Sequence, residues 1–383
     1  MILVACVLSV ASPPVFAEKC GSKLGPFAHA LSPKSKGDVA VQIASFHESG
    51  DVYGLAFSPD SKSLATAVWS RREIRLWNWK SGHLDRELKE PAGENGGGNE
   101  AQAESIAVSP RNDVVVSCHV GYNESPAGYV ISSIWDAHSG AYLKGLTVNS
   151  SCEGVSFTPD GARLLQTVFY GTSPVRAILY DTTSWMPVWH WDLKRVSGQS
   201  VTAISPDGRF AAVGTSDVEP RNNRGPADSP YRGVSRVHIL DINRGIEVKA
   251  IETSLGENVI SRVAWTADGK QIAVGGSSTY DNGPMTGVSV TTYDVDTEKV
   301  VATETSDTRG RVGVLRYTPN GRYLIESGIR DTVEIWDGQH KALLQEICAQ
   351  PSSSAISSNG QYLALGGGAP HWSGGKVIVY ELK

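Results

Sequence analysis

"VSFTPDGARLL", residues 155–165, holds a short apolar run, a four-residue turn and the start of a second apolar run. In Thr158-Pro159-Asp160-Gly161 the proline fixes φ where a reverse turn needs it, and the glycine ends the turn at no steric cost. The stretch predicts a β-hairpin. Related turns stand at Ser58-Pro59-Asp60-Ser61, Ser109-Pro110-Arg111-Asn112, Ser205-Pro206-Asp207-Gly208, Thr266-Ala267-Asp268-Gly269, Thr318-Pro319-Asn320-Gly321 and Ser357-Ser358-Asn359-Gly360, which makes seven. Each follows a run rich in Val, Ile, Ala or aromatics, and most precede a second such run, as in "RFAAVGTS" and "QYLALGGG".

A second marker follows each turn: an apolar strand ending in an aromatic or Leu, then an acid or amide. The pairs are Trp77-Asn78, Trp135-Asp136, Tyr180-Asp181, Leu240-Asp241, Tyr293-Asp294, Trp336-Asp337 and Tyr380-Glu381. Two markers that alternate seven times at unequal intervals describe one four-stranded unit with loops of different length.

Turns of the S-P-D-G type followed by "IRLWN", "SSIWD" and "VEIWD" resemble WD-repeat β-propellers, and the resemblance covers residues 38–383. It implies an all-β fold of seven blades, each of four antiparallel strands, set around a central axis. The seventh repeat has only three strands after its marker spacing is laid out. "VAVQIASF" at Val39–Phe46 is therefore expected to supply the missing strand and close the last blade. Only Trp135 and Trp336 carry a literal Trp-Asp pair, and His47 and Asp331 are the positions that resemble the family's structural His and Asp.

The composition agrees, with 40 Gly, 19 Pro and ten Trp in 383 residues and no heptad pattern. Residues 1–17, "MILVACVLSVASPPVFA", are apolar and end in a small-residue cleavage pattern, so they are read as a signal peptide for export to the periplasm or the medium. "LVAC" offers lipoprotein anchoring through Cys6 as the other leader type. Residues 18–37 form an N-terminal extension, and no transmembrane segment is expected after processing. The four remaining cysteines suit an oxidising compartment. In the propeller topology Cys118 ends a second strand and Cys152 opens the next blade on the same rim. That pair is favoured, with Cys20 and Cys348 as the remainder and unpaired buried thiols as the alternative. The net charge of −5 disfavours a nucleic-acid partner. The sequons at Asn123 and Asn149 are read as chance.

The segments between second and third strands vary most, and the longest joins Ser205 to Leu240. In the family's topology these loops share one rim with the blade-to-blade connections, one of which contains "PAGENGGGNEAQ". That rim carries Trp69, Arg71, Arg72, His119, Tyr122, Tyr170, Arg221, Arg224, Tyr231, Arg232, Tyr280, Arg330, His371 and Trp372. Tyr, Trp and Arg dominate binding hot spots, so these residues are expected to hold a protein or peptide, or an envelope polymer. The alternative for each is packing under its own loop or plain solvation. The expected function is a non-catalytic, monomeric interaction scaffold. No G-x-S-x-G, H-E-x-x-H or C-x-x-C occurs, and no cofactor or metal is implied. "DVDTEK" at Asp294–Lys299 reads as a turn between third and fourth strands rather than a calcium loop. A hydrolase or lactonase with its site at the axial opening is the alternative, since spatially assembled sites leave little linear trace.

Overall fold

The turn residues bond to one another, which fixes where each inner strand stops. Thr158 Oγ1 donates to Asp160 Oδ1 at 2.6 Å and accepts from Arg163 N at 3.0 Å, while Ala162 N donates to the same carboxylate at 2.9 Å. Gly161 sits at φ +68°, a conformation open to glycine without penalty. The same hydroxyl-to-acceptor bond recurs at Ser58–Asp60, Ser205–Asp207, Thr266–Asp268, Thr318–Asn320 and Ser357–Asn359. The acid of the second marker does equivalent work one turn later. Asp136, Asp181, Asp241 and Asp294 accept the amides of Ser139, Ser184, Arg244 and Thr297 at 2.6, 2.9, 3.0 and 2.8 Å. "DVDTEK" is thus one of these turns. Tyr180 and Tyr380 stand where other blades have Trp, and burial pushes both phenols up to about 12, so they remain neutral.

The computed structural model describes residues 38–68, 74–91, 102–111, 113–120, 129–148, 151–169, 175–193, 200–220, 231–255, 259–277, 288–306, 312–328, 332–349, 351–367 and 375–383. The first strand, β1 (Ala40–His47), belongs to the last blade. Blade one is β2 (Val52–Phe57), β3 (Ser63–Val68), β4 (Ile74–Asn78) and β5 (His83–Leu88); blade two is β6 (Gln102–Val108), β7 (Val114–Val120), β8 (Tyr129–Asp136) and β9 (Tyr142–Val148). Blade three is β10 (Ser151–Phe157), β11 (Arg163–Phe169), β12 (Val175–Asp181) and β13 (Pro187–Leu193). Blade four is β14 (Val201–Ile204), β15 (Phe210–Pro220), β16 (Tyr231–Asp241) and β17 (Ile246–Glu252). Blade five is β18 (Val259–Trp265), β19 (Gln271–Ser277), β20 (Val288–Asp294) and β21 (Val300–Ser306). Blade six is β22 (Val314–Tyr317), β23 (Tyr323–Ser327), β24 (Val333–Asp337) and β25 (Leu343–Ile347). Blade seven is β26 (Ser353–Ile356), β27 (Tyr362–Gly367) and β28 (Lys376–Leu382), completed by β1, which runs antiparallel to β28 from Ala40↔Leu382 to His47↔Lys376.

The fold is all-β, with seven four-stranded antiparallel blades closed into a ring by the N-terminal strand. The apolar side chains explain why it is a ring. They gather in seven clusters, one between each pair of neighbouring blades: Trp135 with Leu76 between blades one and two, Leu324 with Val290 between five and six, Trp77 with Val379 where seven meets one. Each blade therefore buries both faces against neighbours, and closure removes the two blades that would otherwise expose a face. None of the described residues forms a helix long and apolar enough to cross a membrane. The leader 1–17, the extension 18–37, Cys6, Cys20 and both sequons lie outside the described residues.

Candidate functional site

In a four-stranded antiparallel blade, the hairpin between second and third strands and the connection to the next blade emerge on one face of the ring. The Asp-bonded turns emerge on the other. Among the described residues, one hairpin on the first face rises beyond its blade. β15 and β16 pair over eleven residues, from Phe210↔Asp241 to Pro220↔Tyr231. The inner strand β14 ends its pairing at Gly214, and the outer strand β17 ends at Arg236. The four pairs from Asp217↔Val234 to Pro220↔Tyr231 are flanked by neither, leaving roughly 13 Å of two-stranded ribbon.

The root of this ribbon is braced by charge. Asp217 accepts from Thr215 Oγ1 at 2.6 Å and Arg236 Nη1 at 3.1 Å, and its carboxylate lies 3.3 Å from His238 Nε2. His238 Nδ1 lies 3.0 Å from Glu247, so the imidazole is held between two carboxylates. Burial alone pushes the Asp217 carboxyl up. The hydrogen bonds from His238 and Thr215, the His238 charge and the Arg236 bond outweigh it and hold the group below the ordinary aspartate value.

Most residues expected on this rim fall outside the described residues: Trp69, Arg71, Arg72, Tyr122, Tyr170, Arg221, Arg224, Tyr280, Arg330, His371 and Trp372. Tyr231 and Arg232 start β16, paired with Pro220 and Glu219 at the far end of the ribbon. His119 corrects the sequence reading. It is only 1% exposed, because β7 continues through Val120 and keeps it inside the blade. Its Nε2 lies 2.6 Å from Ser117 Oγ and 3.3 Å from Glu90, so it belongs to the packing. Cys118 and Cys152 form a disulfide that ties blade two to blade three beside this rim. Cys348 is disulfide-bonded as well, whereas its expected partner Cys20 lies outside the described residues.

A second correction concerns the family's structural His. His47 is exposed, and the residue after it, Glu48, turns inward. Glu48 accepts from Trp77 Nε1 at 2.7 Å, from Arg75 Nη1 at 2.7 Å and from Thr66 Oγ1. Glu90 stands at the matching place one blade on, but there it accepts from Ser133 Oγ beside His119 and not from the blade's Trp135. The matched spacing "SFHE" and "ELKE" is the signal that could have found both. Asp331 lies outside the described residues.

The inner strands enclose an axial cavity of about 860 Å³. Two positions before each turn they carry Ala56, Ala107, Ser156, Ala203, Ala264, Arg316 and Ala355, all of which line it. Arg316 is the one large residue in this ring. Its Nε donates to Ser354 Oγ on blade seven at 2.9 Å, and its side chain is exposed to the cavity. Desolvation by the surrounding wall lowers its pKa from the ordinary guanidinium value. Arg262, on the neighbouring inner strand, is oriented by Gly313 O at 3.0 Å and Ser261 O at 2.7 Å. Tyr53 and Glu153 line the cavity at register shifts in β2 and β10, where a bulge re-aims a side chain. No group of three or more His, Cys, Asp or Glu among the described residues is arranged to hold a metal ion.

A family model for the WD domain, G-beta repeat, matches residues 40–78. That segment runs from the closing strand β1 through β4 and ends on the Trp77-Asn78 marker. The chain is a WD-repeat-like seven-bladed β-propeller. A second model, described as eukaryotic translation initiation factor eIF2A, matches residues 222–372, which span repeats of this propeller from blade four to blade seven. Among solved structures, hydrazine synthase of Kuenenia stuttgartiensis superposes with a TM-score of 0.64 at 18% identity, over 83% of this chain and 92% of that one. At that identity the likeness speaks for the fold alone. The chain has no match among curated protein sequences.

Proposed function

We propose that this propeller is an exported, non-catalytic interaction scaffold that holds a protein or peptide partner on its loop-rich rim. The β15–β16 ribbon carries the reading. A two-stranded ladder that outruns its blade offers two unflanked backbone edges to a partner, and the Asp217 network braces its root. Rigid presentation lowers the entropy lost on binding. WD-repeat propellers commonly serve protein interaction, and loops on a rigid scaffold are where function concentrates. Export is supported by the Cys118–Cys152 disulfide, a bond that persists in oxidising compartments, and by the apolar leader with its small-residue cleavage pattern.

The test replaces residues 218–233 by a two-residue Asn-Gly hairpin turn, which keeps Asp217, and compares affinity capture from the exported fraction of the source cell with that of the intact protein. The scaffold reading expects partners held by the intact protein to be lost while the melting temperature stays within a few degrees. An identical partner set from both proteins would refute it.

A further inference from the structure

We propose that the axial cavity is a binding site for a small oxyanion, a carboxylate or phosphate group, held by Arg316 with Arg262 beside it. The reasoning starts from the exception in the ring. Five alanines and one serine occupy the equivalent positions on the other inner strands, so the fold needs only a small side chain there. A guanidinium at that place is not required by the packing of a propeller. Ser354 engages Nε alone, and no carboxylate among the described residues pairs with Arg316. The two terminal nitrogens form the donor fork that matches a carboxylate or phosphate bidentately.

The surroundings favour an anion over water alone. The cavity walls desolvate Arg316, so an anion beside it is screened less than in open solvent and its attraction to the guanidinium is strengthened. Arg262 lies on the adjacent inner strand two positions further from the turn, which adds a second positive charge about 7 Å along the axis. Glu153 and Tyr53 line the cavity as well, and Glu153 belongs to blade three, across the ring from blade six. The positive end of the cavity is therefore local, within a chain of net charge −5. A volume of about 860 Å³ exceeds that of a bare inorganic ion and leaves room for an organic body behind the anionic head.

The test is titration calorimetry of the full chain with inorganic phosphate and with citrate, using chloride at matched ionic strength as control, alongside thermal melts. Saturable binding of either probe, an elevated melting temperature in its presence, and binding at least about 30-fold weaker in Arg316→Ala would support the site. Phosphate binding alone would identify a phosphorylated ligand, and citrate binding alone a carboxylate. Without any probe, Arg316→Ala should melt at or above the wild-type temperature. Arg316→Lys keeps the charge and loses the fork, so it should bind several-fold more weakly. Absence of saturable binding by the wild type, equal binding by Arg316→Lys, or a ligand-free loss of several degrees in Arg316→Ala would overturn the proposal.

Discussion

The two faces of the ring are held by different kinds of bond. On the turn face, a Ser or Thr and an Asp or Asn two residues on make the same short contact in six blades, each closed within five residues of chain. On the rim face the contacts differ in kind from blade to blade and are long-ranged: Glu48 reaches Trp77, Cys118 reaches Cys152, and Asp217 reaches Arg236. Redundancy makes each turn individually dispensable. The lack of a common pattern makes each rim contact costly to lose, and it is on this face that one blade has grown a ribbon.

Substitutions should therefore rank by face. The largest effect is expected at Glu48→Ala, which leaves the indole of Trp77 only its longer bond to Thr66 Oγ1 at 3.2 Å and removes the nearest anion from Arg75 just where β1 closes the ring. Breaking a buried pair from one side costs about 3–5 kcal/mol, and the low end applies because Glu87 still lies 3.4 Å from Arg75. Urea unfolding followed by tryptophan fluorescence measures it. A loss below about 1 kcal/mol would show that the carboxylate is not the closing contact.

Next comes the double variant Cys118→Ser, Cys152→Ser. With 34 residues of sequence separation, opening this crosslink should destabilise by roughly 2–4 kcal/mol in the same assay under oxidising conditions. Equal stability of the variant and the oxidised wild type would contradict the assignment of a staple between blades two and three.

Asp217→Asn should cost about 1.5–3 kcal/mol at neutral pH, the range for hydrogen bonds to a charged group. Its folded pKa is depressed, so the stabilisation is present above the unfolded value of about 3.9 and is lost as pH falls through the folded value. Wild type and variant should converge in acid. A stability gap that does not narrow as pH falls below the ordinary aspartate range would mean that the charge is not what braces the ribbon.

The smallest effect is expected on the turn face. Asn320 and Asn359 already do in blades six and seven what aspartate does elsewhere, accepting from Thr318 and Ser357 at 2.8 and 2.7 Å. Asp160→Asn should therefore change stability by no more than about 0.5 kcal/mol at neutral pH. It should also remove a small acid-linked loss, because the Thr158 hydroxyl bond holds the Asp160 carboxyl low. A loss comparable with that of Glu48→Ala would abolish the distinction between the faces.

The same distinction explains what could be read from the residues alone. The turns and strand ends were legible because their bonds are local, so "TPDG" and "WD" carry their own partners with them. The closing role of Val39–Phe46 was legible from one strand missing in the last repeat. Glu48 was not, since its partners Thr66 and Trp77 lie on two later strands, and the adjacent His47 resembled the family pattern better. His119 was misplaced because sequence shows where a strand nears its end but not that Glu90 covers it. Arg316 becomes visible only when the seven inner strands are aligned on their turns and a ring of small residues is broken once.

The measurement closest to the central claim is hydrogen–deuterium exchange of the intact protein, free and with the partner it captures. The account predicts slowed exchange in the β15–β16 ribbon, at 217–220 and 231–234, with the turns at 58–62 and 158–162 unchanged. Protection confined to those turns, with the ribbon exchanging as in the free protein, would put the partner on the opposite face and contradict it.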